Sequence, residues 1–374
     1  MYNDIKKMKW LLLLLLYSLN VVSQATITIK GNIINDLEGY DKIYFKYNGE
    51  PEDSVRVVNG NFEIIMPFRK DDTPWLYDEY TIKKTGGYKA FNILIEHPGI
   101  LTLHNVDLNK GFFGTVSGMQ SAEDYEEFYS LVESSNPDVI DELKEKFPVF
   151  PEFPTDGKFT PEYLAFDKYS TEVITKYRLI NLEKFIQTHT DSYASVYLLN
   201  MEMRNMKAEA IKRNYSLLTK KRQNSEEGKD IVRHLNGLKA SQPKKQIKDF
   251  VLLDPNGKKI STKSLRGKYV ILDFWASWCR PCIAEFPDFK KLHKKYRNKN
   301  FEILSISVDK SSEAWLKALK KQQLTWLQAI DDKNSQASNF AVSAYPTKFL
   351  IDPNGKIIMR DGDIEKKLRE IFGY

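Results

Sequence analysis

A short apolar run, residues 270–274, leads within a few residues into the only two cysteines of the chain, Cys279 and Cys282. Such a run is typical of a strand that is buried on both faces in a parallel sheet. A turn is predicted at Ala276-Ser277-Trp278, so that the cysteines begin the next helix. Two cysteines three positions apart cannot form the disulfide framework of a small secreted domain. The segment therefore predicts an α/β fold with a pair of thiols at a strand-to-helix turn.

The start of a helix is a favourable place for a reactive thiolate. The first backbone N–H groups have no partner inside the helix, and the helix dipole adds positive potential at the same point. Both effects favour the thiolate of Cys279, and Arg280 adds a fixed positive charge beside it. Pro281 lacks an N–H group and stiffens the first turn without removing a helical hydrogen bond. The pair can therefore form and release an internal disulfide, the exposed sulfur attacking a substrate disulfide and the second resolving the mixed intermediate.

Half of a zinc site is the alternative interpretation of a Cys-x-x-Cys pair. A structural zinc site needs four ligands, and the chain has no second cysteine pair. The histidines do not supply the missing ligands, because they are scattered without the spacing of a metal site: His97, His104, His189, His234 and His293. Redox chemistry is therefore favoured, and neither a metal nor a cofactor is expected.

Three further residues near the cysteines are candidates for the site. Asp273 is the one charged residue in the apolar run, and a buried carboxylate is costly unless it is paired or protonated. This favours a functional role for Asp273. Trp278 directly precedes Cys279 and is predicted to form part of a docking surface. Glu285 lies on a predicted amphipathic helix, where a solvated surface position is the alternative to a functional one.

The run Asp273-Phe274-Trp275-Ala276-Ser277-Trp278-Cys279-Arg280-Pro281-Cys282 resembles the active site of the thioredoxin superfamily. Residues 246–374 resemble its exported branch, the TlpA/ResA-like disulfide reductases. The resemblance implies that Cys279 is the nucleophile and that Cys282 is the resolving cysteine. It implies that Asp273 is the buried acid that relays a proton for the resolving thiol.

The same resemblance implies roles for positions further along the chain. Glu285 matches a helix glutamate that the branch places near its cysteines, and Pro287 matches the proline that kinks this helix. Ala344-Tyr345-Pro346-Thr347 matches the loop whose cis-proline lies against the disulfide and offers backbone groups to a substrate chain. We therefore expect a four- or five-stranded sheet and a cis bond before Pro346. The predicted substrate-binding residues are Trp278, Arg280, Pro281, Tyr345 and Pro346.

The part of the chain before the thioredoxin-like region has a different residue pattern. Short alternating runs predict a β-sandwich-like domain over residues 24–118. From Ser121 onward the apolar residues recur at helical spacing, and Ser121 is the expected helix N-cap. A long helix is predicted from Thr160-Pro161 through His189. Residues 119–243 are therefore predicted to be a helical region and linker, followed by a thioredoxin-like domain over residues 244–374. The front region resembles the uncharacterised domain that often precedes such modules in Bacteroidetes.

The N-terminus predicts export. Three lysines, Lys6, Lys7 and Lys9, precede a mostly apolar stretch over residues 10–22. This stretch is shorter than the roughly 20 apolar residues of a spanning helix, which favours a secretory signal peptide over a retained anchor. We therefore predict a signal peptide over residues 1–23 and a location in the periplasm or cell envelope. A lone cysteine pair in an oxidising compartment is expected to be a redox pair.

The balance of positive and negative residues bears on which kind of molecule the protein binds. The chain has 56 Lys and Arg residues against 50 Asp and Glu residues, a net charge of +6 spread over 374 residues. Nucleic-acid binding as the main function needs a concentrated basic face, so it is excluded. Protein disulfides are the expected substrates, and the family resemblance implies a membrane-bound electron donor.

The sequence thus predicts an exported thiol–disulfide oxidoreductase that mainly reduces protein disulfides. Two alternatives stay open. One is a thiol peroxidase of the AhpC/TSA-like peroxiredoxin class, suggested by the lead-in at residues 250–268. Against it, Trp278-Cys279-Arg280-Pro281-Cys282 replaces the lone peroxidatic cysteine with its preceding Thr or Ser. The other is an envelope ligand-binding module that uses the thioredoxin fold only as a scaffold.

Overall fold

The structure is a computed structural model that describes residues 25–373, except 48–49, 71, 89, 111–112 and 155–157. The predicted signal peptide lies outside the described residues. These residues form two compact units. The first contains the residues up to Phe185 together with Ser192–Ala194, and the second contains Ile186–Asp191 and the residues from Ser195 onward. Among the described helices, none has the length and apolar character that a membrane span requires.

The first unit begins with two four-stranded β-sheets. Their strands are β1 (Thr26–Ile33), β2 (Lys42–Lys46), β3 (Asp53–Arg56), β4 (Asn61–Pro67), β5 (Trp75–Asp78), β6 (Phe91–Asn92), β7 (Gly99–Asp107) and β8 (Phe113–Ser117). One sheet has the order β4-β1-β7-β8 and the other β3-β2-β5-β6. Alternate residues of β1 and β4 are buried, and Ile29 of one sheet shares a hydrophobic core with Ile43 of the other. The predicted β-sandwich-like domain is confirmed.

The helices after residue 119 were predicted, whereas the helix Glu79–Thr85 inside the β-rich region was not, and one predicted cap is corrected. They are α1 (Glu79–Thr85), α2 (Gln120–Ser134), α3 (Asn136–Lys146) and α4 (Pro161–Thr188). Ser121 was expected to cap α2, but the N-cap residue is Met119. The Ser121 hydroxyl instead donates to the Leu94 carbonyl at 3.0 Å and accepts from the Glu96 N–H at 3.2 Å. A buried tertiary contact thus takes the side chain that local capping would have used.

The second unit combines helices with one mixed sheet. Its helices are α5 (Tyr193–Glu202, shared with the first unit), α6 (Ala208–Leu217), α7 (Lys220–Gln223), α8 (Glu226–Ala240), α9 (Arg280–Tyr296), α10 (Ser312–Gln322), α11 (Ser335–Asn339) and α12 (Ile364–Phe372). Its strands are β9 (Val251–Leu253), β10 (Lys259–Ser261), β11 (Tyr269–Trp275), β12 (Phe301–Ser307), β13 (Leu327–Ile330), β14 (Thr347–Ile351) and β15 (Ile357–Arg360). Short 3-10 helices lie at Met203–Asn205 and Thr262–Leu265 of this unit and at Leu108–Lys110 of the first unit.

The sheet of the second unit has seven strands in the order β10-β9-β13-β12-β11-β14-β15. Strand β11 lies inside it, parallel to β12 and antiparallel to β14. The prediction of four or five strands was therefore too low. The difference is the β9–β10 hairpin, which joins the edge of the sheet where Leu253 pairs with Ile330. Because β11 has neighbours on both sides, it places the residues at its end over the middle of the sheet.

Helix α8 precedes the thioredoxin-like region in sequence but packs within the same unit. Gly237 of α8 lies so close to α11 that an added Cβ would be 2.6 Å from the Ser338 carbonyl oxygen. The Arg360 guanidinium donates to the Ala341 carbonyl at 2.9 Å and to the Ser241 hydroxyl at 3.3 Å. These contacts tie the segment after α8 to the end of β15.

Candidate active site

The two cysteines lie at the N-terminus of α9 and are joined by a disulfide, with their Cα atoms 5.4 Å apart. Cys279 is the N-cap residue, and its Sγ accepts a hydrogen bond from the Cys282 N–H at 3.2 Å. Both are buried, with 4% of Cys279 and 2% of Cys282 exposed. Arg280 and Pro281 are exposed in the first turn. The expected strand–turn–helix placement of the pair is therefore present, and the greater accessibility of Cys279 stays a prediction.

The turn between β11 and α9 is held by Asp309, a residue that the sequence analysis did not single out. The Asp309 carboxylate accepts the Ser277 N–H at 2.9 Å and the Ser277 hydroxyl at 2.8 Å. It also accepts the Ser307 hydroxyl at 2.6 Å, and only 2% of the residue is exposed. Asp309 thus fixes the segment that carries Trp278 and Cys279. A carboxylate at the end of an apolar strand was the signal that could have revealed it.

Asp273 lies in the middle of β11 and is 1% exposed. Ser305 stands directly opposite on β12, and its hydroxyl donates to Asp273 Oδ2 at 2.7 Å. The same hydroxyl accepts the Trp326 indole N–H at 2.9 Å. Because the indole occupies an acceptor position of the hydroxyl, the hydroxyl proton is directed at the carboxyl group. The carboxyl group is thus buried but partnered.

Burial raises the pKa of Asp273 from its ordinary acidic range to about 7. The hydrogen bond from Ser305 opposes this rise, the negative charge of Glu285 adds to it, and the positive charge of Lys348 opposes it. A carboxyl group with a pKa near neutrality can both accept and release a proton at physiological pH. This is the property that a proton relay for a thiol requires.

Glu285 is paired with Lys348, a second residue that the sequence analysis missed. The Lys348 Nζ lies 2.6 Å from Glu285 Oε1 and 2.8 Å from Oε2. Lys348 stands directly opposite Asp273 in the antiparallel β11–β14 pair. Its side chain is 17% exposed and that of Glu285 is 36% exposed. The sequence signal that could have revealed Lys348 was a single lysine in β14, a strand that is otherwise mostly apolar.

The loop before β14 lies beside Trp278, the residue that precedes Cys279. The Tyr345–Pro346 bond is cis, which confirms the expectation for Pro346. The Tyr345 ring meets the Trp278 ring edge to face, with centroids 5.8 Å apart. Trp278 is 66% exposed, an unusual state for a large aromatic residue. The two rings thus form an accessible aromatic surface next to Cys279.

A Cys-x-x-Cys disulfide at the start of a helix, after a central strand and beside a cis-proline loop, defines a thioredoxin-fold thiol–disulfide protein. Comparison with known proteins gives the particular family. Residues 243–360 match the AhpC/TSA family. The thiol-disulfide oxidoreductase ResA of Bacillus cereus is 39% identical over 114 residues, which are 30% of this chain and 66% of the relative. ResA of Geobacillus kaustophilus is 35% identical over 129 residues, which are 33% of this chain and 74% of the relative.

The chain therefore belongs to the ResA-like family of thiol-disulfide oxidoreductases through its C-terminal region. It spans about two thirds of the length of its Bacillus relatives, 66% for the protein of Bacillus cereus. A solved thiol-disulfide oxidoreductase from Bacteroides fragilis is 38% identical, with a TM-score of 0.32, over 34% of this chain and 99% of that one.

Proposed function

We propose that the protein is an exported thiol–disulfide oxidoreductase that mainly reduces protein disulfides. The observation that carries the proposal is the disulfide between Cys279 and Cys282 in the first turn of α9. The buried carboxyl group of Asp273, in the strand that leads to this turn, supports it. The proposed location in the periplasm or cell envelope rests on the signal peptide predicted from residues 1–23.

In the proposed reaction the reduced protein begins with a Cys279 thiolate and a Cys282 thiol. The Cys279 sulfur attacks one sulfur of the substrate disulfide, forming a mixed disulfide and releasing the other substrate sulfur as a thiolate, which takes a proton from water. Asp273 then accepts the Cys282 proton, and the Cys282 thiolate attacks the Cys279 sulfur. The internal disulfide forms and the second substrate thiolate leaves. The second substrate thiolate takes the proton held by Asp273. The substrate thus gains two electrons from the two cysteines, one proton from Cys282 by way of Asp273 and one proton from water.

A dithiol must return the two electrons before the next cycle, giving one proton to Cys282 and releasing its other proton to water. We propose that a membrane-bound donor of this chemical class reduces the Cys279–Cys282 disulfide, as the family resemblance implies. The oxidised state of the pair is the form that such a donor would meet.

We propose that Trp278, Arg280, Pro281, Tyr345 and Pro346 form the substrate-docking surface. Support comes from the exposed Trp278 ring, which lies edge to face with Tyr345. Aromatic rings supply large contact areas at interfaces, and the adjacent cis-proline loop offers backbone groups to an extended chain. Such a surface suits a protein disulfide better than a small hydroperoxide.

The proposal is tested by reduction of insulin disulfides with dithiothreitol as the reductant. We expect the protein to accelerate the reaction and Cys279→Ser to abolish the acceleration. Cys282→Ser should stop after the first attack and accumulate mixed disulfides, because the resolving thiol is absent. Equal activity in the wild-type protein and Cys279→Ser would contradict the proposal.

A thiol peroxidase is the second candidate, because residues 243–360 match the AhpC/TSA family. In that reaction a hydroperoxide would oxidise the Cys279 thiolate to a sulfenic acid with release of an alcohol or water. Cys282 would then condense with the sulfenic acid and release water. Rapid hydroperoxide consumption with little insulin reduction would favour this function over the first.

A further inference from the structure

Lys348 stands between two carboxyl groups that the proposed reaction treats differently. It forms an ion pair with Glu285 on α9 and stands opposite Asp273 on β11. We propose that Lys348 is a positioning residue that, through its pairing with Glu285, controls whether Asp273 holds or gives up its proton. The inference rests on the proposed disulfide chemistry, since Asp273 acts there as the proton acceptor.

The strand register places the lysine on the same face as the aspartate. Residues directly opposite one another in an antiparallel pair have Cβ atoms about 5 Å apart on one face of the sheet. Asp273 and Lys348 form such a pair. The Lys348 N–H also donates to Asp361 Oδ1 at 2.8 Å, which fixes the backbone at this position. The base of the lysine side chain is therefore held beside the buried carboxyl group.

Glu285 determines where the ammonium group lies. Both Glu285 oxygens contact the Lys348 Nζ, at 2.6 Å and 2.8 Å. Only 17% of the lysine side chain is exposed, so water screens this pair less than an ordinary surface ion pair. The ammonium group therefore has two competing partners on the same side, the Glu285 carboxylate that it contacts and the carboxylate that Asp273 becomes when it loses its proton.

The charges around Asp273 act in opposite directions. Lys348 favours the ionised form of Asp273, whereas Glu285 opposes it. From β12, the group that faces Asp273 is the uncharged hydroxyl of Ser305. Glu285 on α9 and Lys348 on β14 are thus charged side chains that act on this carboxyl group from the two elements on which they lie. The pH at which Asp273 ionises should therefore respond to the two residues with opposite signs.

The test compares the pH midpoint of Asp273 in four variants. Lys348→Met removes the cation, so the midpoint should rise by about one pH unit. Glu285→Gln removes the anion and leaves the lysine, so the midpoint should fall by a similar amount. The double variant should lie between the two, and Lys348→Arg should return the midpoint towards that of the wild-type protein because it keeps the charge.

Two measurements report this midpoint. The first follows the reduced protein as it reacts with an aromatic disulfide reagent whose thiolate is coloured. The first thiolate released reports the attack by Cys279, and the second reports resolution by Cys282, which should slow as Asp273 becomes protonated. The second measurement is a carbon-13 NMR titration of the Asp273 carboxyl group in the oxidised protein, which does not depend on activity.

A matched control is available on the same helix. Lys291 of α9 forms an exposed ion pair with Asp288 at 2.8 Å, so Lys291→Met removes a lysine without changing the surroundings of Asp273. Lys291→Met should leave the midpoint of Asp273 unchanged in both measurements. Asp273→Asn should remove the dependence on pH from the rate at which Cys282 resolves the mixed disulfide.

Shifts of the same sign in Lys348→Met and Glu285→Gln, or no shift in either, would overturn the inference. If the wild-type protein does not react with the reagent or with insulin, the proposed function fails. The NMR titration of the oxidised protein then decides the role of Lys348 on its own.

Discussion

At the scale of the residue, Asp273 keeps its proton at pH values where an exposed aspartate has lost it. Its pKa is about 7 in the folded protein, against about 3.9 in an unfolded chain. Between these values the folded state binds a proton that the unfolded state has released. The free energy of unfolding therefore falls as the pH rises from about 4 to about 7, by up to about 4 kcal/mol.

Asp273→Asn should therefore stabilise the oxidised protein in alkaline solution and have little effect in acid. The amide oxygen can still accept the Ser305 hydroxyl, while the cost of burying a charge disappears. Thermal unfolding at pH 5 and pH 8 measures the effect, and the difference in Tm between variant and wild type should grow with pH. A difference that is constant across this range would show that Asp273 does not change its protonation state between pH 5 and pH 8, which would contradict a pKa of about 7.

Trp278 is expected to act on substrate binding and not on folding. Two thirds of the residue is exposed, so Trp278→Ala should change the free energy of unfolding by less than about 0.5 kcal/mol. The KM for a protein disulfide should rise several-fold, because a large aromatic contact is lost. Steady-state kinetics with insulin and with a small disulfide would separate the two effects. An equal loss on the small disulfide would indicate a role in the chemical steps instead.

At the scale of the element, the entry to α9 depends on a carboxylate from another strand. Asp309 accepts two hydrogen bonds from Ser277 and one from Ser307. Asp309→Ala would leave the buried Ser307 hydroxyl and the half-buried Ser277 donors without their acceptor, which costs about 2–4 kcal/mol of stability. Urea unfolding measures this cost. Asp288→Ala on the exposed face of α9 is the control, and equal effects of the two substitutions would refute the anchoring role of Asp309.

The two hairpins of the sheet show how much of an element local sequence can define. The pentapeptide Asp-Pro-Asn-Gly-Lys occurs at residues 254–258 and 352–356, and it joins β9 to β10 and β14 to β15. Proline and a glycine with positive φ predict these turns from five residues. They do not predict which strand lies beside the hairpin. The pairing of β9 with β13 therefore came only from the structure.

At the scale of the whole molecule, the second unit includes helices that lie well before the cysteine pair in sequence. The predicted domain boundary at residues 243 and 244 leads to an experiment on fragments. A fragment of residues 244–374 lacks Gly237, which packs on α11, and Ser241, which accepts from Arg360. We expect it to unfold at a lower urea concentration than a fragment that begins at residue 186. Equal midpoints would show that residues 244–374 are an independent domain.

The sequence by itself determined the features that contiguous residues encode. An apolar strand, a short turn and a pair of cysteines at a helix start predicted the disulfide site of Cys279 and Cys282. The cis bond before Pro346 was expected from a four-residue match, and the helix that begins at Pro161 from its proline. The strand, the turn and the helix starts depend on the conformational preferences of a few neighbouring residues, whereas the cis bond was expected from the family resemblance alone.

Only the tertiary structure decided which side chains surround Asp273. Ser305 donates a hydrogen bond to it and Lys348 stands opposite it because β12 and β14 flank β11 in one particular register. A shift of either strand by one residue would turn its side chain to the other face of the sheet. That register depends on burial on both faces and on partners 32 and 75 positions away along the chain. Local patterns cannot encode it, and so the network that controls the proton became visible only in the folded protein.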